Sequence, residues 1–263
     1  MLLENKVAVI YGGGGGVGGA VARAFAREGA QVFLTDRTLP AVEAVAKDIV
    51  AAGGLAEVAQ VDALDEQAIE SHLGAVIAKA GTVDISFNAV GIPNTTLQGV
   101  PLVELKVEEF SLPISTYTKS NFLTARLAAR RMIAKRAGVI LTITSTPSRT
   151  AIPNMGGVAV AMGAIETLTR DLSAELGPHG IRVLGLRPAG MPDSGTIKEV
   201  WGLHARANGI TSQQFAGVIE SRMHRGRSPS LTEMAEVAAF AASDRANAMT
   251  ATFVNMSGGT IAD

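Results

Sequence analysis

Residues 11–18 read Tyr-Gly-Gly-Gly-Gly-Gly-Val-Gly. Before them, Lys6-Val7-Ala8-Val9-Ile10 forms a short apolar run rich in β-branched side chains, which predicts a buried strand. After them, apolar residues recur at helical spacing as far as Glu28-Gly29, which is a typical helix end. A glycine-rich turn that opens a helix places bare backbone N–H groups at the positive end of the helix dipole, where a pyrophosphate can bind.

The glycines of this turn match two dinucleotide-binding templates at once. Gly13, Gly15 and Gly18 satisfy G-x-G-x-x-G, whereas Gly12, Gly16 and Gly18 satisfy G-x-x-x-G-x-G. Because a run of glycines fits many patterns, the match gains its weight from its position between a strand and a helix. The residues of the turn that we predict to contact a cofactor are Gly12, Gly14, Gly16, Val17 and Gly18.

Asp36 ends the second predicted strand, about 20 residues after the turn, which is the spacing of the acidic residue in dinucleotide sites. A carboxylate there accepts hydrogen bonds from the adenosine ribose and repels a 2′-phosphate, so the sequence favours NAD over NADP. The neighbouring Arg37 could pair with a 2′-phosphate, so NADP remains possible. A turn or N-cap role is the alternative for Asp36, and the upstream glycines favour the ribose role.

Two further strand ends carry residues suited to a cofactor. Val61-Asp62 ends the third predicted strand, where a carboxylate can meet the adenine edge. Asn88-Ala89-Val90-Gly91 ends the fourth, where a glycine allows close backbone approach. We therefore expect cofactor contacts at Asp62, Asn88 and Gly91, with a plain strand-end turn as the alternative for each.

The composition excludes several functional classes. The net charge of −1 and the absence of long runs of one sign give no electrostatic footprint for nucleic acid or for an anionic membrane. The chain has no cysteine, which excludes disulfides, thiolate metal sites and a cysteine nucleophile, and we expect no metal site. No run approaches the roughly 18 apolar residues of a membrane span. The N-terminus lacks the pattern of a signal peptide, so we expect a soluble cytoplasmic protein.

Strand and helix signals alternate along all 263 residues, which predicts one α/β domain with a parallel sheet. The predicted strands are 6–11, 31–35, 55–61, 83–88, 138–144, 181–187 and 252–256. The predicted helices are 16–28, 39–52, 65–80, 115–136, 156–177 and 232–243. Residues 189–230 break this rhythm, and a long insertion at the carboxyl edge of such a sheet is typical of a substrate lid. A packing or oligomer arm is the alternative.

The chain resembles the classical short-chain dehydrogenase/reductase family from end to end. Its glycine-rich turn matches the cofactor turn of that family, and Asn88-Ala89-Val90-Gly91 resembles its Asn-Asn-Ala-Gly segment. The later motifs that carry the resemblance are Gly138–Ser145, Gly180–Val183, Arg187-Pro188, Ser243–Ala246 and Val254–Gly259. The resemblance implies a single Rossmann domain over residues 1–263, with a seven-stranded parallel sheet flanked by helices and with assembly into homodimers or homotetramers. It also implies a catalytic role for Ser145 and a nicotinamide contact at Pro188.

The other catalytic residues of the family are missing. In that family the active-site Tyr stands 13 residues after the Ser and the Lys four residues later, and these positions hold Val158 and Met162. The chain has two tyrosines, Tyr11 and Tyr117, and no lysine between Lys135 and Lys198, so a shift of register does not restore the pair. The enoyl-reductase spacing fails for the same reason. The catalytic Asn of the family corresponds to Tyr117.

Two hypotheses of different classes follow. In the first, the protein is an oxidoreductase for a carbonyl/alcohol pair, with Ser145 and a relocated acid, for which Tyr117 is the best candidate and His204 another. The alternative is that Tyr117 is an aromatic residue of its helix that serves packing and has no catalytic role. In the second, the protein binds a dinucleotide without hydride transfer, as a partner subunit, a sensor or a non-redox enzyme. The sequence does not identify the small-molecule substrate. Trp201, Leu203 and Phe215 are consistent with an apolar substrate, and core packing explains them equally well.

Overall fold

A computed structural model describes residues 1–262 as an α/β fold built on one sheet of seven parallel strands. The strands are β1 (Val7–Tyr11), β2 (Gln31–Asp36), β3 (Leu55–Gln60), β4 (Ile85–Asn88), β5 (Gly138–Ile143), β6 (Ile181–Pro188) and β7 (Phe253–Met256). Their order across the sheet is β3-β2-β1-β4-β5-β6-β7. The order reverses between β1 and β4, and this topological switch point leaves a crevice at the carboxyl ends of the strands. The predicted seven-stranded parallel sheet is confirmed.

Helices cover both faces of the sheet, as a buried parallel sheet requires. They are α1 (Gly16–Arg27), α2 (Leu39–Ala51), α3 (Glu66–Ala80), α4 (Val107–Lys135), α5 (Gly157–Leu176), α6 (Gly195–Ala207), α7 (Ser212–Glu220) and α8 (Leu231–Ala242). One core cluster joins α1, α2 and α8 to the sheet, and a second joins α3 and α4 to its other face. β1 contributes to both clusters, because its successive side chains point to opposite faces.

Helix α4 begins at Val107, eight residues before the predicted start at residue 115. Pro113 lies inside this helix and is buried, whereas the sequence reading placed it before the helix. A proline within a helix removes one backbone hydrogen bond. The first turns of α4 are stabilised instead by contact with α5, where a Cβ on Gly157 would lie 1.9 Å from the carbonyl oxygen of Phe110. Packing against α5 therefore outweighs the helix-breaking preference of Pro113.

The glycine-rich turn packs against the end of β4 through its backbone. Gly12 has a φ of +72°, and a Cβ there would lie 2.6 Å from the carbonyl oxygen of Ala89. A Cβ on Gly18 would lie 2.2 Å from the carbonyl oxygen of Gly12. These two positions require glycine for the fold itself, because any side chain would force the turn away from its neighbours.

A buried ion pair joins α5 to the end of β6. Glu166 and Arg187 are 3% and 2% exposed, and Arg187 Nε donates to Glu166 Oε1 at 2.7 Å. Ser148 Oγ donates to the same carboxylate oxygen at 2.5 Å. The Arg187 guanidinium also lies over the Phe253 ring, 5.1 Å from its centroid. The pair thus ties α5, the segment after β5 and the end of β6 together.

Replacing Glu166 with Gln or Ala should lower the free energy of unfolding by about 3–5 kcal/mol, because either change removes a buried carboxylate that is hydrogen-bonded to a buried guanidinium. Urea denaturation followed by circular dichroism measures the change. Arg170→Ala is the matched control, since its guanidinium is half-exposed and 3.9 Å from the same carboxylate. The control should cost less than about 1 kcal/mol. Equal losses in the two variants would contradict a central role for the buried pair.

Candidate cofactor and substrate site

A cavity of about 680 Å³ opens at the carboxyl edge of the sheet. Its wall is built from the ends of β1, β2, β4, β5 and β6, together with α4, α5, α6 and α7. Nine of the residues that the sequence singled out line it: Gly12, Gly16, Val17, Asp36, Asn88, Gly91, Tyr117, Ser145 and Pro188. The structure therefore brings the predicted cofactor turn and the predicted catalytic residues to one cavity.

Four of the predicted cofactor residues lie outside the cavity wall. A Cβ on Gly14 would lie 2.5 Å from the Ala41 side chain, and Gly18 is buried beneath the turn, so both serve its packing. Arg37 is exposed and does not line the cavity. The Asp62 carboxylate accepts a hydrogen bond from the Leu64 backbone at 2.9 Å, which is the strand-end turn offered as its alternative.

The N-terminus of α1 has the properties of an anion site. Its N-cap is Gly15, no side chain caps the helix, and the first turn holds no acidic residue. A Cβ on Gly15 would meet its nearest atom at 3.4 Å and one on Gly16 at 3.5 Å, so this side of the turn is open to a ligand. Uncapped N–H groups at a helix N-terminus favour a phosphate group. The residues present thus fit a dinucleotide pyrophosphate.

The carboxylate of Asp36 is oriented by the backbone of the next residue. Its Oδ1 accepts a hydrogen bond from the Arg37 amide at 2.7 Å, which orients the carboxylate at the end of β2. The residue is half-buried and lines the cavity. A carboxylate so placed can accept hydrogen bonds from two ribose hydroxyls.

The wall formed by α5 is apolar. Val158 and Met162 line the cavity with side chains that are 7% and 8% exposed, and they belong to a cluster with Met155, Ala161 and Ile165. Neither side chain can donate or accept a proton. The two positions that carry Tyr and Lys in the family motif therefore form part of the apolar wall here and supply neither a charge nor an acid.

Ser145 and Tyr117 are polar groups that face this apolar wall. Ser145 lies in extended backbone just after β5, and its hydroxyl makes no hydrogen bond to any of residues 1–262. Tyr117 is half-buried and packs against the α5 cluster. Burial raises the pKa of Tyr117, a backbone hydrogen bond with Ile92 lowers it, and the Glu199 carboxylate raises it further; the net direction is upward. Tyr117 is therefore a neutral hydrogen-bond donor, and a weaker acid than a free tyrosine.

Residues 189–230 contain two helices, α6 and α7, that the sequence analysis did not predict. Three of their aromatic residues, Trp201, His204 and Phe215, line the cavity. Helix α6 is attached to the loop after β4, because Glu199 Oε1 accepts hydrogen bonds from Asn94 N at 3.0 Å and Thr95 Oγ1 at 2.8 Å. Sequence reasoning missed Asn94, Gln98 and Glu199, since no local pattern marks a contact between a loop and a helix that are distant in sequence.

Two kinds of feature are absent from the described part of the chain. Within residues 1–262 there is no group of three or more His, Asp or Glu side chains placed to hold a metal ion. None of the helices in this range combines the length and apolar character needed to cross a membrane.

Comparison with known proteins assigns the family. The family model described as Enoyl-(Acyl carrier protein) reductase matches residues 13–260. An uncharacterized oxidoreductase, YxbG, of Bacillus subtilis (strain 168) is 31% identical over 260 residues, covering 99% of this chain and 92% of that protein.

Two solved structures are similar over nearly the whole chain. NAD+-bound xylitol dehydrogenase superposes with a TM-score of 0.91 at 24% identity, covering 98% of this chain and 100% of that one. A gluconate 5-dehydrogenase from Burkholderia cenocepacia J2315, in complex with NADP and tartrate, superposes with a TM-score of 0.85 at 26% identity, covering 98% and 96%. The fold, the motifs and these matches together show that the chain belongs to the classical short-chain dehydrogenase/reductase family of oxidoreductases.

Proposed function

We propose that this protein is an NAD(P)-dependent oxidoreductase, with a preference for NAD, that interconverts a carbonyl and an alcohol. The proposal rests on one observation: Ser145 and Tyr117 line the same cavity as the uncapped α1 N-terminus and Asp36. Hydride transfer needs a dinucleotide site and a proton donor within one water-excluding pocket. In the described chain these requirements meet at this cavity.

The cofactor would lie along the edge of the sheet. The N–H groups at the start of α1 would bind its pyrophosphate, and Asp36 would bind its adenosine ribose. Asn88, Gly91 and Pro188 line the cavity farther along and would contact the nicotinamide half. Asn88 is held for this by its Nδ2, which donates to Thr124 Oγ1 at 3.0 Å. When bound, the cofactor supplies or accepts the hydride.

Ser145 and Tyr117 would handle the oxygen of the substrate. The Ser145 hydroxyl donates a hydrogen bond to the carbonyl, and the Tyr117 hydroxyl transfers its proton to the oxygen as negative charge develops there. Because the pKa of Tyr117 is raised, the hydroxyl keeps its proton throughout the neutral range. The same shift makes it a slower acid than one with a pKa near neutrality, so we expect modest turnover.

Replacing Tyr117 with Phe should lower kcat about 100-fold or more, since a positioned general acid contributes about 10²–10⁴ to the rate. The assay follows NADH oxidation over a panel of cyclic and aliphatic ketones, with the dissociation constant of NADH measured in parallel. Tyr11→Phe is the matched control, because it removes the same atom from a fully buried tyrosine outside the cavity wall. Unchanged turnover in Tyr117→Phe would overturn the role of Tyr117.

The apolar α5 wall supports a second candidate function, which is dinucleotide binding without hydride transfer. Val158 and Met162 remove the usual acid and the cation that would hold the nicotinamide ribose. A protein of this kind would act as a partner subunit, a sensor or a non-redox enzyme. Tight NADH binding by the unmodified protein, with no turnover over the ketone panel, would favour this function over the first.

Replacing Asp36 with Asn should weaken NADH binding about tenfold and leave NADPH binding unchanged or stronger, because it removes both a ribose acceptor and the charge that repels a 2′-phosphate. Fluorescence titration of both cofactors measures the ratio. Asp48→Asn on the exposed side of α2 is the control, since it removes the same charge away from the cavity. An unmodified protein that prefers NADPH would contradict the proposed preference.

We also propose that residues 189–230 act as a lid and that the protein forms a homodimer or homotetramer. The lid role is supported by the position of α6 and α7 in the cavity wall. Assembly is supported by exposed apolar side chains on α4 and α5, among them Leu112, Phe122 and Val160. Sedimentation velocity should show an oligomer that Val160→Glu with Phe122→Glu converts to monomer, whereas a monomeric unmodified protein would contradict the assembly.

A further inference from the structure

A row of buried hydrogen bonds connects the loop after β4 to α6. Asn94 Nδ2 donates to the carbonyl oxygen of Ile92 at 3.1 Å, and Gln98 Nε2 donates to Asn94 Oδ1 at 2.7 Å. Gln98 Oε1 then lies 3.2 Å from His204 Nε2. The side chains of Asn94, Gln98 and His204 are buried, and His204 is 3% exposed. We call Ile92, Asn94, Gln98 and His204 the loop–helix relay.

The first member of the relay sets the direction of every bond in it. A backbone carbonyl can only accept, so the Asn94 atom facing Ile92 is its amide nitrogen and its oxygen faces Gln98. Gln98 therefore presents its nitrogen to Asn94 and its oxygen to His204. An oxygen acceptor at that place requires the proton of the imidazole to be on Nε2.

The imidazole of His204 is neutral in this environment. Burial lowers the pKa of His204 below its usual value, because the charged ring would be poorly solvated there. A neutral ring with its proton on Nε2 carries a lone pair on Nδ1. The relay thus converts a histidine of undefined tautomer into a fixed hydrogen-bond acceptor.

That acceptor belongs to a residue of the cavity wall and has no hydrogen-bond partner within residues 1–262. The Nδ1 atom of His204 is not enclosed by protein atoms. The ring is held in place by stacking on Phe215, with a centroid distance of 5.6 Å and an interplanar angle of 23°. A histidine that served packing alone would not need one nitrogen oriented by a relay and the other left to the cavity.

The wall around this acceptor is mostly apolar. The apolar side chains that residues 189–230 contribute to the cavity wall include Ile197, Val200, Trp201, Phe215, Ile219 and Met223, and the polar Ser194 and Thr196 line the cavity beside them. Of the charged residues in the same part of the wall, Glu199 already accepts two hydrogen bonds from the loop after β4, and Arg222 is exposed. A fixed acceptor within an apolar wall discriminates between a ligand that offers a donor and one that does not.

We propose that His204 is a specificity-determining residue whose Nδ1 accepts a hydrogen bond from a hydroxyl of the substrate, in addition to the carbonyl or alcohol that reacts. The substrate class is therefore an apolar ketone or alcohol that carries a second hydroxyl group. This inference rests on the proposed function, because it takes the cavity as the substrate site. Gln98 is a positioning residue, which acts through the tautomer of His204.

The tautomer can be measured without any ligand. Nitrogen-15 NMR of protein labelled at its four histidines, with His204→Phe used for assignment, should show His204 neutral and protonated on Nε2 at neutral pH. Gln98→Leu removes the acceptor and should produce a mixture of tautomers in a folded protein. A charged His204, or a proton on Nδ1 in the unmodified protein, would overturn the inference.

A matched pair of probes tests the specificity. 4-Hydroxycyclohexanone and 4-methylcyclohexanone differ by a hydroxyl and a methyl group of similar size, and NMR titration of the NADH complex gives both dissociation constants. The hydroxyl probe should bind about tenfold more tightly, which is about 1.4 kcal/mol for one hydrogen bond. His204→Phe should abolish this preference. Ile219→Ala, a change in the apolar wall, should alter both affinities and keep their ratio.

The outcomes separate this inference from the proposed function. Equal binding of the two probes, or a preference that survives His204→Phe, overturns the inference even if the enzyme turns over ketones. A preference for the hydroxyl probe that depends on His204 supports the inference even if no turnover is found. In that case only the proposed redox function is contradicted. If the NADH complex binds neither probe, the cavity is not a ketone site and both are overturned.

Discussion

The parallel pairing of β1 with both β2 and β4 is the constraint on which the site depends. Tyr11 is in register with Thr35 on one side and with Asn88 on the other, so the three strands end at the same edge. The glycine-rich turn, Asp36 and Asn88 follow directly from those ends. Because the turn approaches Ala89 too closely for a side chain at Gly12, the glycine-rich turn and the crevice are parts of one packing arrangement.

The chemistry of the cavity is shaped by its apolar wall on α5. Val158 and Met162 form its apolar surface, and Ser145 and Tyr117 are polar residues of the same cavity. Burial raises the pKa of Tyr117, so its hydroxyl holds its proton more strongly than a free tyrosine does. Under the proposed function, an apolar surface that favours the binding of an apolar substrate therefore also makes Tyr117 a weaker acid.

The features that could be predicted from the sequence are those marked by patterns of neighbouring residues. Alternating apolar runs and a glycine-rich turn identified the seven strands and their parallel arrangement, and the spacing from Ser145 identified the loss at Val158 and Met162. The start of α4 was placed too late, because Pro113 is a helix breaker in isolation and is held within the helix by contact with α5. Helices α6 and α7 were missed although local signals mark their starts, because Ser194 caps α6 and Thr211 forms a capping box with Gln214 at the start of α7.

The sequence alone was sufficient for the fold, the dinucleotide turn and the missing Tyr–Lys pair, because each of these is written in residues close together along the chain. The tertiary structure was needed to separate Gly14 and Gly18, which serve packing, from Gly16, which lines the cavity. It was needed above all for the loop–helix relay, whose last bond joins residues 106 positions apart. Side-chain hydrogen bonds between distant segments leave no periodicity in a sequence, so folding alone brings them together.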